Sequence, residues 1–316
     1  MLKKRLMSDL PRIALLAVAM FGQMAYAANA PQQNQPNILL LVGDDISFGD
    51  LGISGGVTQT PVLDRLANEG VMFTRFHASP VCSVSRGMLL TGNDPIDIGL
   101  AAFDYALYPP AAGKPGYESY LTRSTTVTIA EVLRDAGYRT YMTGKWHLGG
   151  AHGGEGPQDW GFDRSYSIYT GGANHWNSGV FHVDTHNPEV MAQVKAGKIP
   201  QEPYFEDGKR VERPQGIYSD DLWTGKLLQY LEQERESGKP FFAYVAYTTA
   251  HAPLQAPDFL IDKYVDHYLK LGYAGLKQAR FDAQKRLGLI PPDAVFPDTT
   301  KNQLLRSWEE LSDQEK

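Results

Sequence analysis

One stretch constrains the fold more than any other. The segment NILLLVGDD at 37–45 is an apolar run that ends abruptly in two aspartates, Asp44 and Asp45. A continuous apolar run of this length is typical of a strand buried on both faces in a parallel sheet. Ligand sites of such sheets form beside the carboxyl ends of the strands. The sequence therefore predicts a strand here, with a candidate site where it ends.

Helical and extended patterns alternate along the rest of the chain. Start and stop signals predict a helix between Thr60 and Gly70, a second that ends at Gly137, and a third that is capped by Ser219 and ends at Gly238. A short helix is expected just after the cysteine at 82. Extended segments are predicted at 71–78, 138–144 and 241–249. This alternation predicts a layered α/β fold.

The N-terminus has the features of a secretory signal peptide. Residues 1–12 are basic, the apolar run at 13–24 is too short to span a bilayer, and AYA at 25–27 supplies small residues for cleavage. We therefore predict a signal peptide over 1–27, a polar linker over 28–36 and export to the periplasm or medium. The alternative is an N-terminal anchor helix; the length of the apolar run disfavours a stable membrane anchor.

Charge and composition narrow the classes of partner. The formal net charge is -6, and no block of Lys and Arg occurs beyond the N-terminus, so the sequence offers no electrostatic footprint for nucleic acid. With 42% hydrophobic and 21% charged residues, the chain has the profile of a folded globular protein. An anionic ligand would therefore need a local cationic pocket.

The candidate chemistry is concentrated in a few polar positions. Cys82 is the single cysteine, so it cannot form an internal disulfide and is either a packed side chain or a chemically used one. Arg86 follows it by four positions. Lys145 and His147 follow a predicted strand, and in an extended backbone their side chains would project the same way. His251 lies in the loop after another predicted strand.

These segments, in this order, resemble the sulfatases, specifically the arylsulfatase branch of the alkaline-phosphatase-like superfamily. The resemblance rests on five segments between 37 and 316: PNILLLVGDDISFGDLG, CSVSRGMLLTG, GYRTYMTGKWHLG, GFDRSY and TTAHAPLQAP. It implies a mixed, mostly parallel sheet flanked by helices. It also implies that 37–316 is the N-terminal portion of a sulfatase catalytic domain, acting on a small-molecule sulfate ester.

The resemblance also implies roles for the site residues. Cys82 would be oxidised by a maturation enzyme to formylglycine, an aldehyde whose hydrate attacks sulfur and later expels sulfate. Arg86 and Lys145 would stabilise the anion, His147 would act as base and His251 as acid. The metal would be Ca²⁺, with Asp44, Asp45 and Cys82 as its ligands.

The chain departs from the family pattern at two points. The maturation motif has Pro or Ala at its third position, where this chain has Val84. The late Asp-Asn or Asp-His pair and the second Lys of the family are not found, so the C-terminal part of the domain is expected to be missing. Two alternatives therefore remain open: a phosphodiesterase or phosphonate hydrolase of the same superfamily, and a truncated, inactive sulfatase fragment with exposed apolar surface.

Smaller features complete the sequence-based expectations. His182, Asp184 and His186 suggest a zinc site, which the absence of a cysteine partner and of helical spacing disfavours. Tyr169 and Trp176 are expected either to line an aryl pocket or to pack in the core. Asp50 is expected to shape a turn, and the glycines at 171 and 172 to mark a loop near the pocket.

Overall fold

The computed structural model describes residues 35–102, 113–123, 126–149, 155–176, 188–196, 198, 202–297 and 306–316. The strands in this part of the chain are β1 (Ile38–Val42), β2 (Arg139–Lys145), β3 (Arg164–Ile168), β4 (Tyr204–Glu206), β5 (Lys209–Val211) and β6 (Phe241–Ala246). The α-helices are α1 (Pro61–Glu69), α2 (Cys82–Thr91), α3 (Ile129–Asp135), α4 (Pro188–Lys195), α5 (Ser219–Gln233) and α6 (Asp258–Arg286). Helix α6 is interrupted at Gly272, where the backbone is not helical.

The six strands form one sheet in the order β1-β6-β2-β3-β4-β5. Strand β2 pairs parallel to both β6 and β3, whereas β4 and β5 extend the sheet as an antiparallel hairpin. The predicted α/β architecture, a mostly parallel sheet with flanking helices, is confirmed. Because β2 and β6 are parallel neighbours, the loops that follow them emerge at the same edge of the sheet.

Helix α5 packs on the centre of this sheet and forms the core with it. The helix turns one apolar side to the sheet, where Trp223, Leu227 and Tyr230 are buried. Aromatic rings dominate the contact: Trp223 stacks on Tyr204, and Tyr230 on Tyr141. This packing fixes the strands that carry the candidate site at their carboxyl ends.

The predicted burial of β1 on both faces is wrong. Leu39 and Leu41 are 54% and 43% exposed, and no residue of β1 is fully buried. Strand β1 is the edge of the sheet in the described structure, with β6 on one side only. The apolar side of α1 is likewise uncovered, since Leu63 and Leu66 are both exposed. An apolar run predicts a strand, but its burial depends on which other segments cover it.

Three local expectations also need correction. The segment 71–78, expected to be extended, is an irregular exposed loop with no strand. Helix α5 begins at Ser219, so Tyr218 is its cap position, and the Ser219 hydroxyl contacts His175 Nδ1 at 2.7 Å instead of capping the helix. Helix α5 ends at Gln233, and a 3₁₀ turn at Arg235–Ser237 separates it from Gly238.

The predicted signal peptide and most of the linker, residues 1–34, lie outside the described part of the chain. Within the part that is described, each helix is too short or too polar to cross a membrane.

Candidate active site

Three strand ends meet at the candidate site. Asp44 follows β1, Lys145 ends β2, and Thr249 follows β6. The Asp44 backbone N–H donates to the Thr249 carbonyl at 2.8 Å and ties two of these loops together. Beside these loops, the backbones of β2 and β6 approach each other so closely that only glycine fits at position 144. Its φ is 105°, and a Cβ there would collide with the Ala246 carbonyl. The arrangement is the one predicted for carboxyl ends of neighbouring strands.

Cys82 is the first residue of helix α2 and the centre of the cluster. Lys145 Nζ donates to Cys82 Sγ at 3.2 Å, and His147 Nδ1 lies 3.4 Å from the same sulfur. Burial raises the pKa of the thiol, but the His147 hydrogen bond and the Lys145 charge outweigh it and lower the pKa to about 7. A thiol at a helix N-terminus beside a cation has the environment of a reactive cysteine.

Asp44 is the buried counter-charge of this cluster. Its Oδ2 accepts from Lys145 Nζ at 2.6 Å, and its Oδ1 lies 3.3 Å from Arg86 Nη2. Burial raises the pKa of Asp44, but the two cations outweigh it and hold the pKa below its ordinary value. Two cations thus face one buried carboxylate, which leaves a surplus positive charge beside Cys82. Such a charge distribution suits an anionic ligand.

Arg86 is held from the side of the sheet. Its Nη1 donates to the Lys145 carbonyl and to the Tyr244 hydroxyl, both at 3.1 Å, and the side chain is almost completely buried. Its Nε is a buried donor that has no hydrogen-bond partner among the described residues. The structure places Arg86 against Asp44, beside the cluster around Cys82, and Tyr244, which sequence reasoning missed, orients the guanidinium.

His147 reaches the sulfur through an unusual backbone conformation. Its φ is 55°, so the extended backbone predicted for this segment is wrong at His147. The side chains of Lys145 and His147 nevertheless both contact Cys82, as predicted from their spacing. Gly171 lies behind the ring, where a Cβ would come within 3.0 Å of His147 Cε1. The expectation of a glycine loop near the pocket therefore holds at Gly171.

His251 lies beside the acid pair. Its Nε2 is 4.0 Å from Asp45 Oδ2, and its Nδ1 donates to the Ala252 carbonyl at 2.8 Å. Asp45 itself is exposed and has a φ of 61°. The structure therefore links five predicted residues by direct contact, and His251 joins them through Asp45. The directly linked residues are Asp44, Cys82, Arg86, Lys145 and His147.

Two buried titratable groups near the cluster, Glu202 and His175, were not among the predicted site residues. Glu202 accepts hydrogen bonds from Thr170, while its Oε1 has no partner among the described residues. Burial raises the pKa of this carboxyl to about 7, and His147 is close enough to oppose that rise. His175 is buried behind the His251 loop, and burial lowers the pKa of its ring. Glu202 follows no predicted strand end or glycine-rich motif, whereas His175 comes just after Gly171 and Gly172, and that glycine pair is the one local signal that could have found it.

The other sequence-based expectations have simpler outcomes. Tyr169 stacks on Phe205 with ring centroids 4.1 Å apart, and Trp176 packs against Tyr218, so both pack against other aromatic rings. Asp50 shapes a turn, as expected, by accepting from the Ser47 N–H. The three residues of the zinc hypothesis, 182, 184 and 186, lie outside the described residues.

Asp44 and Asp45 offer the ligand type that Ca²⁺ prefers but not a complete site. Both oxygens of Asp44 are engaged by cations, and Asp45 is exposed. Over the described residues, no group of three or more His, Cys, Asp or Glu is placed to hold a metal ion. A Ca²⁺ shell takes about six to eight oxygens. The described residues therefore do not form a calcium site by themselves.

Comparison with known proteins agrees with this geometry. The sequence model of the sulfatase family matches residues 36–278. The chain belongs to the sulfatase family. It is 34% identical over 297 residues to an arylsulfatase of Klebsiella aerogenes, covering 94% of this chain and 60% of that relative. It is 36% identical over 297 residues to an uncharacterized sulfatase of Schizosaccharomyces pombe, covering 93% and 51%.

The fold is similar to that of a solved crystal structure. The crystal structure of Ps i-CgsB in complex with k-i-k-neocarrahexaose superposes with a TM-score of 0.58 at 28% identity, over 81% of this chain and 56% of that one. The chain spans 51–60% of the length of the two curated relatives.

Proposed function

We propose that this chain forms part of an enzyme that hydrolyses sulfate monoesters, with position 82 as the site of the nucleophile. The observation that carries the proposal is the placement of Cys82 Sγ 3.2 Å from Lys145 Nζ, in a cluster where Lys145 and Arg86 face the single carboxylate of Asp44. A sulfate monoester is an anion, and fixed cations stabilise the charge that develops as the ester bond breaks. Membership of the sulfatase family supports the same reaction class.

Each residue has a role that its position makes possible. Lys145, which touches both Asp44 and Cys82, would hold the sulfate against position 82. Arg86 would contribute a second fixed charge from the buried side of the cluster. His147 Nδ1, 3.4 Å from the sulfur, would remove a proton from a group on position 82. His251 would give a proton to the oxygen of the leaving group.

The thiol of Cys82 stands where we propose formylglycine in the mature enzyme. The conversion of –CH₂SH to –CHO removes sulfur and oxidises the β-carbon by two electrons, so a separate maturation enzyme and its oxidant are required. The hydrated aldehyde supplies the attacking oxygen, and its second hydroxyl allows sulfate to be released. Val84 occupies the third position of the maturation motif and is buried in the first turn of α2.

The remaining parts of the hypothesis stay predictions. Asp44, Asp45 and Cys82 are the ligands proposed for Ca²⁺, which would polarise the ester oxygen, and further ligands must come from outside the described residues. A rise in melting temperature with Ca²⁺ that Asp45→Asn abolishes would support this assignment. Export rests on residues 1–27, and cleavage after Ala27 in secreted protein is its test.

The direct test of function is a hydrolysis assay on full-length protein co-expressed with a maturation enzyme. The substrates are the nitrophenyl esters of sulfate, of a phosphate diester and of a phosphonate. We expect hydrolysis of the sulfate, and loss of that activity in Cys82→Ala. Faster hydrolysis of a phosphate diester or of a phosphonate would favour the alternative hydrolases of the superfamily. No hydrolysis of any ester by folded, matured protein would favour an inactive fragment and contradict the proposal.

A further inference from the structure

The loop that carries His251 is fastened by the start of helix α5. Thr249 Oγ1 donates a short hydrogen bond to Asp220 Oδ2, and it lies 3.3 Å from the Tyr218 hydroxyl. At the other end of the loop, the Tyr218 hydroxyl donates to the Gln255 carbonyl at 2.8 Å. The two anchors flank His251, so they fix the loop on both sides of it.

His175 also holds this loop through hydrogen bonds. Its backbone N–H donates to Gln255 Oε1 at 3.1 Å, and its Nε2 faces the His251 carbonyl at 3.5 Å. Burial lowers the pKa of this ring and so favours its neutral form. In that form, an Nε2–H that donates to the His251 carbonyl leaves Nδ1 to accept from the Ser219 hydroxyl at 2.7 Å. The loop thus contacts α5 through several buried polar groups.

The same loop also holds the backbone of Asp44. The Thr249 carbonyl accepts from the Asp44 N–H at 2.8 Å, while the Thr249 side chain is bound to Asp220. One residue therefore connects the first turn of α5 to the carboxylate that pairs with Lys145. A shift of Thr249 would move Asp44 and the His251 loop together.

We propose that Asp220 is a positioning residue of this site, which acts through Thr249 to fix the backbone of Asp44. Asp220 is not in contact with Cys82 or with any group proposed to touch the ester. Its carboxyl accepts from the Thr249 hydroxyl through Oδ2 and lies 3.3 Å from the Ser219 hydroxyl through Oδ1; the contact with Thr249 is the one that reaches Asp44. The inference deepens the proposed function, and the part of its test that measures sulfate hydrolysis rests on that function.

An acid in the first turn of a helix also stabilises the helix dipole, so the test must separate the two effects. Asp221 is the matched control: it carries the same charge in the same helical turn, and it is exposed. Loss of the helix-dipole effect would be similar in Asp220→Ala and Asp221→Ala. Only Asp220→Ala removes the acceptor of the Thr249 hydroxyl.

The experiment compares Thr249→Val with Thr249→Ser in the full-length protein, together with Asp220→Ala, Asp221→Ala and the double variant of Asp220 and Thr249. Valine has the shape of threonine without the hydroxyl, whereas serine keeps the hydroxyl. Two quantities are measured: hydrogen exchange of the peptide that contains the Asp44 amide, and kcat and KM for nitrophenyl sulfate.

We expect Thr249→Val and Asp220→Ala each to speed exchange at Asp44 and to lower kcat about 10- to 100-fold, with a small change in KM. Thr249→Ser and Asp221→Ala should stay within about threefold of the wild type in both quantities, since they keep the contact. The double variant should be no worse than Asp220→Ala alone, because Thr249→Val breaks only a contact that Asp220→Ala has already removed.

The two hypotheses fail in different ways. A folded, matured wild type that does not hydrolyse the sulfate ester overturns the proposed function. The hydrogen-exchange measurements would still test whether Asp220 fixes the backbone of Asp44. Unchanged exchange and unchanged kcat in Thr249→Val overturn the positioning role. Equal losses in Asp220→Ala and Asp221→Ala overturn it as well, because they indicate a general effect of charge on the helix.

Discussion

The substitution Lys145→Met tests the buried ion cluster, because it removes one cation while keeping most of the side-chain volume. Lys145 Nζ lies 2.6 Å from Asp44 Oδ2, and the two side chains are 0% and 4% exposed. Removing one partner of a buried ion pair costs about 3–5 kcal/mol, since the remaining charge is left uncompensated. Arg86 remains 3.3 Å from Asp44 and still compensates part of its charge. We therefore expect Lys145→Met to lower the free energy of unfolding by about 3 kcal/mol at pH 7, the lower end of this range.

The pH dependence of this loss provides a second check. The pKa of Asp44 is held below its ordinary value, burial opposing and the two cations favouring the charged form. A depressed carboxyl pKa stabilises the fold above the ordinary value, and that stabilisation is lost as the pH falls through the folded pKa. The difference between wild type and Lys145→Met should therefore shrink as the pH falls below about 4.

Urea unfolding, followed by tryptophan fluorescence at pH 7 and at pH 3, measures both effects. The matched control is Arg65→Met, which breaks an exposed ion pair with Glu69 at 3.9 Å. That pair should contribute at most about 0.5 kcal/mol. If the two variants lose the same free energy of unfolding at pH 7, or if the loss in Lys145→Met does not depend on pH, the reasoning about the cluster is refuted.

Three further predictions concern single groups of the site and of the sheet beside it. In protein made without a maturation enzyme, the rate of Cys82 alkylation should rise through a midpoint near pH 7, because its pKa is about 7; His147→Asn should move that midpoint upward, and an unmoved midpoint would contradict the contact. The raised pKa of Glu202, about 7 against an ordinary 4.5, makes the fold less stable as pH rises between those values. Glu202→Gln should therefore stabilise the protein at pH 8 by about 3 kcal/mol in urea unfolding and have little effect at pH 4.5, whereas a loss at pH 8 would show that the charged carboxylate has a partner. Gly144→Ala should lower stability by at least about 2 kcal/mol in urea unfolding, since its Cβ meets the Ala246 carbonyl; wild-type stability would argue against this register of β2 and β6.

The sequence allowed the site to be predicted where chemistry coincides with strand ends. Asp44 and Lys145 follow or end apolar strands, and parallel strands bring such ends to one edge of a sheet. Cys82 could be identified because it is unique in the chain. The contacts among them then follow from the fold, and the motif order supplied the family.

Other properties depended on tertiary contacts that no local pattern encodes. The exposure of Leu39 in β1 reflects what covers the strand, not the residues within it. Ser219 has the type of a helix cap, yet its hydroxyl contacts His175, far away in the sequence. Glu202 and Asp220 gain their environments from loops that meet only in the folded chain.

The state of position 82 tests the central claim most directly. The measurement is the mass of the tryptic peptide 76–86 from protein co-expressed with a maturation enzyme, beside the variant Val84→Ala, which restores the family motif. We predict that the wild-type peptide carries an aldehyde at position 82, as the variant does. A wild-type peptide that keeps its thiol while the variant is converted would contradict the claim, because the proposed nucleophile would then not form in this protein.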